Sequence, residues 1–434
     1  MKYGSLKPFI PVAVFLLAIF LTIMLVYVPF PNLIRLDDSD YPCQEVPTIV
    51  TPGGDFILYV DADRVWAGER ELEIEEGVVR IPQDLSLGWH DIALQVGGTT
   101  ITRPDSLYVT PFDLQDYTFI QITDMHTSYY EGADIEERRG VIDLVNDMGP
   151  AFVVDTGDMT NYGLEKQYIL YESIISGLDV PLYTIPGNME TYSDHNLERY
   201  AEHLGPSNYY FYIGDTLFVA GAALHAPRSW GGFDDEQLEW LDENFAREAA
   251  LKIFLQHTPI VSEEGRDYKY IPWGWKDGHF SQVEQGYDRI VDILTREKAV
   301  TLSGHWHTYS NIFEYKGATF YQTPSVTWMS GVKKGPRFRL FRIQDGKITF
   351  DKVIEYKRFD ISREYGTDNT QVTVNIRNDH EFPVPLNVHV KLSPSSFPYK
   401  TDTGEIMAST SSGDVWVRYD APPGESEIRV TPVT

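Results

Sequence analysis

The sequence predicts an α/β domain flanked by two all-β regions, and three observations carry that reading. Between about Asp116 and Tyr356, short apolar runs alternate with amphipathic helical stretches. On either side, Val46–Thr110 and Thr373–Pro432 alternate apolar and polar residues at the period of a strand, broken by Gly-Gly and Pro. The chain has 434 residues, 42% of them hydrophobic and 23% charged, which suits a globular protein of two to three domains with a sizeable core.

The amino end comes first. From Phe9 to Phe30 the chain reads FIPVAVFLLAIFLTIMLVYVPF without a charge, and roughly 20 such residues cross a ~30 Å hydrocarbon core. A cleaved signal peptide would be shorter and end in small residues, whereas this run ends in VYVPFPN, so an uncleaved transmembrane signal anchor is expected. Lys2 and Lys7 precede it, and Asp37, Asp38 and Asp40 outweigh Arg35 after it. By the positive-inside rule the expected topology is single-pass in the cell membrane, with the bulk of the chain extracytoplasmic. The expected divisions are a cytoplasmic end at 1–8, the anchor at 9–30, a linker at 31–45, a β-sandwich at 46–112, the α/β domain at 113–358 and a second β-sandwich at 359–434.

The runs FILYVDA, ELEIEEGVVRI, WHDIALQV and TTITR in the first β region, and TVNIRN, LNVHVKL, DVWVRYD and SEIRVTP in the last, resemble immunoglobulin-like sandwiches. Neither carries a catalytic constellation. Asp61 with Asp63, and His380 with His389, read as ordinary polar residues on solvated strand faces.

Charge and cysteine content exclude several classes. The formal net charge of -28 repels nucleic-acid backbones, and no basic stripe offsets it, so a nucleic-acid partner is disfavoured and any phosphate chemistry needs bound metal. Only VKKGPR and RFRLFR are locally basic; Lys333, Lys334, Arg337 and Arg339 either attract phosphate or are surface residues of a terminal hairpin. The single cysteine, Cys43, excludes an intramolecular disulfide framework and a cysteine-rich zinc site.

Within the α/β domain the apolar runs YTFIQITD, AFVVDTGD, PLYTIPGN, LKIFLQH and VTLSGH read as strands. The stretches EERRGVIDLVNDMG, LEKQYILYESIISGL, HNLERYAEHLG, DDEQLEWLDENFAREA and YDRIVDILTREK read as helices, and the closing NIFEYKGATFYQT and RFRLFRIQDGKITFDKV as antiparallel strands. Asp124 and His126 follow the first strand, Asp158 the second, Asn188 the third, His257 the fourth, and His305 and His307 the fifth. Carboxyl ends of strands are where α/β sheets collect ligands. Carboxylate, imidazole and amide donors without sulfur suit Mn, Fe, Zn or similar ions.

The motifs DMH, GDMT, GNME, QHTP and GHWH, in that order, resemble those of the calcineurin-like metallophosphoesterases. The resemblance implies a four-layer α/β/β/α sandwich and two divalent or trivalent metal ions. It assigns Asp124, His126 and His307 to one ion, Asn188, His257 and His305 to the other, and Asp158 to both. It implies hydrolysis of a phosphate ester, small-molecule or surface-borne, by a metal-bound hydroxide, with Asp158, Asn188 and His257 nearest the chemistry. The match is closest to the branch that includes cyclic-nucleotide and glycerophosphodiester phosphodiesterases, through TDMHTS and TGDMTNYG. Purple acid phosphatases differ, because Asn161 stands where they carry an iron-ligating tyrosine and Tyr162 is displaced by one.

Met189 departs from the family pattern, which has a histidine there to stabilise the transition state or protonate the leaving group. Loss of a general acid costs about a hundredfold to ten-thousandfold in rate. His195 and His225 are the nearest replacements in sequence. The alternative is a metal-binding surface scaffold with a weakened catalytic site. The segment EEGRDYKYIPWGWKDGHF, Glu263–Phe280, reads as a loop beside the site, whose Tyr268, Tyr270, Trp273 and Trp275 either stack on substrate or pack together, and Trp306 is open to the same two readings.

Overall fold

Runs such as TFIQI and FVVD are apolar at nearly every position and leave no face for solvent, so they form strands covered on both sides. The computed structural model describes residues 42–58, 60–128, 135–224, 229–261, 281–327, 335–394 and 397–433. The expected anchor Phe9–Phe30, the segment Glu263–Phe280, His225, Lys333 and Lys334 lie outside the described residues. Among the described residues no helix is long and apolar enough to cross a membrane.

Two mixed sheets form the centre. In the first, the order is Leu182–Thr184, Phe152–Asp155, Asp116–Ile122, Arg337–Gln344, Lys347–Glu355; the first three are parallel and the last two antiparallel. In the second, the order is Asn208–Ile213, Thr216–Gly221, Leu251–Leu255, Val300–Ser303, Ala318–Gln322, Ile312–Tyr315, with the inner four parallel. Their inner faces share one apolar core. Phe119 stacks on Phe152 at 5.1 Å and on Phe341 at 4.8 Å, while Phe218 from the opposite sheet meets Phe152 edge-on at 5.4 Å.

Helices cover the outer faces. Ile135–Met148 starts with Glu136 and Glu137, favourable at the positive end of the helix dipole, and buries Val141, Ile142, Leu144, Val145 and Met148 on one stripe. With Glu165–Ile175 it packs on the first sheet. Asp235–Phe245, whose Asp234 cap accepts the Gln237 N–H at 2.8 Å, packs with Tyr287–Arg296 on the second. The result is helix, sheet, sheet, helix, the layering expected from the motifs.

The last β region has two sheets, one of four strands and one of three. Its core is continuous with the helix side of the first central sheet, where Val141 and Val145 cluster with Val374, Val388 and Val417. The first β region departs from the expected sandwich of two sheets. Strand Arg70–Glu75 bonds both Arg64–Ala67 and Val78–Arg80, which joins all seven strands into a single sheet around one core. Alternation identifies strands but not which edges pair. The end of the expected linker is also tied down: Arg103 Nη1 donates to the Pro42 carbonyl at 3.0 Å, and Val46 is buried in the central core. Burial, and secondarily the charge of Glu45, pushes the Cys43 thiol up to about 12.

Candidate metal centre

The two sheets end together, and the loops leaving their carboxyl ends are bonded to each other. Asp124 N–H donates to the Gly157 carbonyl and His126 N–H to the Asp158 carbonyl, each at 2.8 Å, and Thr127 forms a parallel bridge with Thr160. Within the second sheet, Gly304 N–H donates to the His257 carbonyl at 3.1 Å and Ser325 N–H to that of His307 at 2.9 Å, and across the sheets Val326 N–H donates to the Thr123 carbonyl at 3.1 Å. Five of the seven predicted residues adopt the left-handed region: Asp124 at φ 55°, His126 at 48°, Asp158 at 56°, His305 at 72° and His307 at 31°. Non-glycine residues rarely sit there, and such backbones collect at functional sites.

The glycines of the motifs let these loops approach. A Cβ on Gly187 would lie 2.2 Å from Asp158 Oδ1, and one on Gly304 would lie 1.9 Å from Thr123 Oγ1 and 2.7 Å from Asp124 Oδ2. No side chain fits at either position.

Six of the seven residues form two groups that could hold a metal ion, Asp124, His126, Asp158 and His307 in one and Asp158, His257 and His305 in the other. Asp158 is common to both. Its Oδ2 lies 3.2 Å from His257 Nε2 and 3.8 Å from His126 Nε2. Its Oδ1 is held aside by the Met189 N–H at 2.8 Å. His126 Nε2 and His307 Nε2 are 3.0 Å apart, and His257 Nε2 and His305 Nδ1 are 3.1 Å apart. Two nitrogens about 2.1 Å from one ion and at right angles are separated by about 3.0 Å, so the spacing fits a shared cation. Asn188, the seventh, is fixed between Gly187, whose N–H bonds Glu190 Oε2 at 2.8 Å, and Met189.

The donor chemistry fits as well. Asp124 Oδ1 and Asn188 Oδ1 are buried without a hydrogen bond, an arrangement proteins avoid unless something else occupies the oxygen. Asp124 Oδ2 is already engaged by Thr123 Oγ1 at 2.9 Å and His305 N–H at 3.0 Å. His257 Nδ1 is bonded to the Thr156 carbonyl at 2.7 Å, which fixes a proton there and directs Nε2 toward Asp158.

Burial raises the Asp124 carboxyl, but the charge of His307 and the neighbouring imidazole of His126 overcome it and hold the group well below the usual range. Asp158 is lowered in the same way, mainly by His257 against burial. Burial depresses His257, yet the Asp158 carboxylate carries it up to about 9. Burial and then the His257 charge push His305 down to about 3, which leaves its ring neutral.

Sequence reasoning gave Glu190 no role. It is fully buried; Oε2 accepts the N–H groups of Asp158 at 3.0 Å and Gly187 at 2.8 Å, and Oε1 accepts Thr160 N–H at 2.8 Å and Oγ1–H at 2.9 Å. It therefore fastens the GD loop to the GN loop. Burial and the charge of Asp158 push it up to about 7. Its place in GNME, where the family pattern has Asp or Glu, was the available signal. Arg138 was also missed. From the helix Ile135–Met148 its guanidinium donates to the Met125 and His126 carbonyls at 2.9 and 3.2 Å, supporting the first loop from below.

Other expectations divide. Arg337 and Arg339, read as possible surface residues, are buried: Arg339 braces Thr323, Ser310 and Gln322, and Arg337 reaches the His307 and Thr308 carbonyls. Trp306 is buried, with Nε1 donating to Gln282 Oε1, so it packs. His195 is exposed, its Nδ1 2.7 Å from the Thr191 carbonyl. Asp61 and Asp63 are exposed as read, while His380 is buried rather than solvated.

Residues 117–309 match the profile of the calcineurin-like phosphoesterases. A probable glycerophosphodiester phosphodiesterase of Arcobacter nitrofigilis is 27% identical over 172 residues, covering 37% of this chain and 58% of that protein, so the match spans little more than half of the relative. Among solved structures, a purple acid phosphatase from yellow lupin (Lupinus luteus) seeds aligns with 75% of this chain and 66% of its own at a TM-score of 0.42 and 12% identity. GAP50, the anchor in the inner membrane complex of Plasmodium, aligns with 56% of this chain and 85% of its own at 0.41 and 14%. With the five motifs in order on five strand tips, residues 117–309 form a calcineurin-like phosphoesterase domain.

Proposed function

We propose that the protein is a membrane-anchored phosphoesterase that uses two metal ions to hydrolyse a phosphate diester or monoester. The observation that carries the reading is Asp158 Oδ2 lying between two sets of nitrogen donors while its other oxygen is tied to backbone. Asp124, His126 and His307 would hold one ion, Asn188, His257 and His305 the other, and Asp158 both. Two such ions lower the pKa of water from about 15.7 toward 7 and neutralise the charge that grows on a phosphoryl group.

The chain's own residues prepare the site for this. Thr123 and the His305 N–H engage one oxygen of Asp124 and leave the other free, and Thr156 sets the tautomer of His257. Almost complete burial of Asp124, His126, Asp158 and His257 lowers the local dielectric and strengthens each interaction with charge. A positive centre in an otherwise acidic protein gives an anionic ester somewhere to bind. The diester alternative draws on the relative's description as a probable glycerophosphodiester phosphodiesterase, and the anchor on the uncharged run Phe9–Phe30.

One observation favours a second reading, a metal-stabilised scaffold: the Met189 side chain carries no proton to give. Hydrolysis of bis-p-nitrophenyl phosphate and p-nitrophenyl phosphate by the full chain, stripped of metal and then reloaded with Mn or Zn, separates the two. The enzyme shows metal-dependent turnover that Asp158→Asn abolishes. A scaffold gains thermal stability on reloading and shows no more hydrolysis than that variant.

A further inference from the structure

Between His305 and His307, which the reading above assigns to different ions, stands Trp306. Both histidines hold left-handed backbone, φ 72° and 31°, a conformation that persists only where the surroundings over-determine it. Each is held from outside the loop: His305 N–H donates to Asp124 Oδ2 at 3.0 Å, and the His307 carbonyl accepts the Ser325 N–H at 2.9 Å. Trp306 is 1% exposed and is the largest fully buried side chain among the described residues. Its N–H closes a tight turn onto the Gly304 carbonyl at 2.9 Å, its carbonyl accepts the Tyr309 N–H at 3.2 Å, and its ring meets that of Tyr309 edge-on at 5.8 Å.

The indole Nε1–H donates to Gln282 Oε1, and that acceptor stands on a fixed base. Gln282 is buried; its N–H donates to the Pro259 carbonyl at 3.1 Å, and its carbonyl accepts the Gly231 N–H at 2.8 Å. The residues that follow, Val283–Gln285, pair with Gly231–Gly232. Pro259 lies two residues after His257, so Gln282 joins the GHWH loop to the loop that carries His257. An indole has one donor and no acceptor, and a buried donor is costly to leave unmade, so the ring keeps the orientation that satisfies it.

We propose that Gln282 is a positioning residue for the metal centre: through the Trp306 indole it fixes the backbone between His305 and His307 and sets donors of both ions at once. Neither side chain is among the candidate ligands. The inference rests on the two-ion reading for what the histidines hold.

The test uses the full chain, stripped with chelator and titrated with Mn by calorimetry, as wild type, Gln282→Met, Trp306→Phe, the double variant and Val291→Ala. Methionine keeps the length of glutamine and removes its acceptor; phenylalanine keeps a ring and removes the donor. Gln282→Met is expected to weaken binding of both ions roughly tenfold, the lower end for a residue that orients ligands without being one. The double variant is expected to lose less than the two single losses multiplied together, because it leaves no indole N–H unsatisfied. Val291→Ala, a truncation in the core under the helix Tyr287–Arg296, is expected to lower the melting temperature and leave Mn affinity as in the wild type. A loss confined to one ion overturns the proposal, as do single losses that multiply in full in the double variant and an equal loss in Val291→Ala, which would make the effect one of general destabilisation. Two ions in the wild type with unchanged affinity in Gln282→Met refute the proposal alone, whereas a wild type that binds a single Mn refutes the two-ion reading and the proposal with it.

Discussion

Replacing Glu190 by glutamine isolates the contribution of one buried side chain to the geometry of the centre. The carboxylate accepts four hydrogen bonds, two on each oxygen, three of them from backbone N–H groups. Glutamine keeps one accepting oxygen and presents an amide nitrogen in place of the other. The less costly orientation turns the nitrogen toward Thr160, because that hydroxyl can rotate and accept, whereas the N–H groups of Asp158 and Gly187 cannot. Only the Thr160 N–H, 2.8 Å from its acceptor, is then left unsatisfied. A buried donor without a partner costs about 1–3 kcal/mol. A supporting residue of this kind also changes metal affinity by about tenfold to a hundredfold, and the lower end applies because the Asp158 and Gly187 bonds survive. Glu190→Leu removes every acceptor, orphans all three N–H groups and should be several times worse. The assay is thermal unfolding of the metal-free chain at pH 8, above the group's own pKa of about 7, paired with Mn titration. If Glu190→Gln and Glu190→Leu were equally mild, with wild-type Mn affinity, Glu190 would not be what joins the two loops.

Four other outcomes follow from the same geometry. Met189→Ala should retain wild-type Mn affinity by calorimetry, because position 189 holds Asp158 Oδ1 through its N–H and not its side chain. Gly304→Ala should lose most metal binding, since its Cβ would meet Thr123 Oγ1 and Asp124 Oδ2; overpacking of this kind costs about 1–3 kcal/mol and shows in denaturant titration as well. His195→Ala should leave the rate of diester hydrolysis unchanged, as its ring is exposed and bonded to the Thr191 carbonyl. Asp116 is bonded by Arg342 and Arg418 and, despite partial burial that raises it, its carboxyl is held below the usual range. A depressed carboxyl stabilises the fold above its unfolded pKa of about 3.9 and loses that contribution as pH falls through the lower folded value. Asp116→Asn should therefore be less stable at pH 7, by up to about 1 kcal/mol for a partly exposed network, and the difference should shrink in acid unfolding below about pH 4.

The candidate ligands were legible because each follows a short apolar run, and a run of that kind ends at the edge of a sheet with its next residues facing outward. Asp124, Asp158, Asn188, His257 and His305 could be placed on strand tips without knowing how the strands pair. What remained hidden depends on contacts between loops. Glu190 stood in the motif, but its partners are backbone N–H groups of other segments, which no side-chain pattern records. Arg138 is an ordinary charged residue on an amphipathic helix until the fold brings the Met125 carbonyl to it. Arg337 and Arg339 looked solvated because a terminal hairpin normally is; here the strand Arg337–Gln344 lies inside the sheet, bonded on both sides. The first β region became one sheet because Arg70–Glu75 pairs along both of its edges, and alternation carries no information about that. The left-handed backbone at five of the seven positions was equally invisible, since Asp and His carry no mark of it in sequence.

Metal stoichiometry tests the central claim most directly. The full chain is stripped with chelator, dialysed against a range of Mn concentrations and assayed for bound metal beside Asp158→Ala. Two ions per chain in the wild type at saturation, with clearly weakened binding of both in the variant, is the predicted result. A single ion per chain at saturation, or an Asp158→Ala variant that binds two as tightly as the wild type, would contradict a centre in which Asp158 is shared.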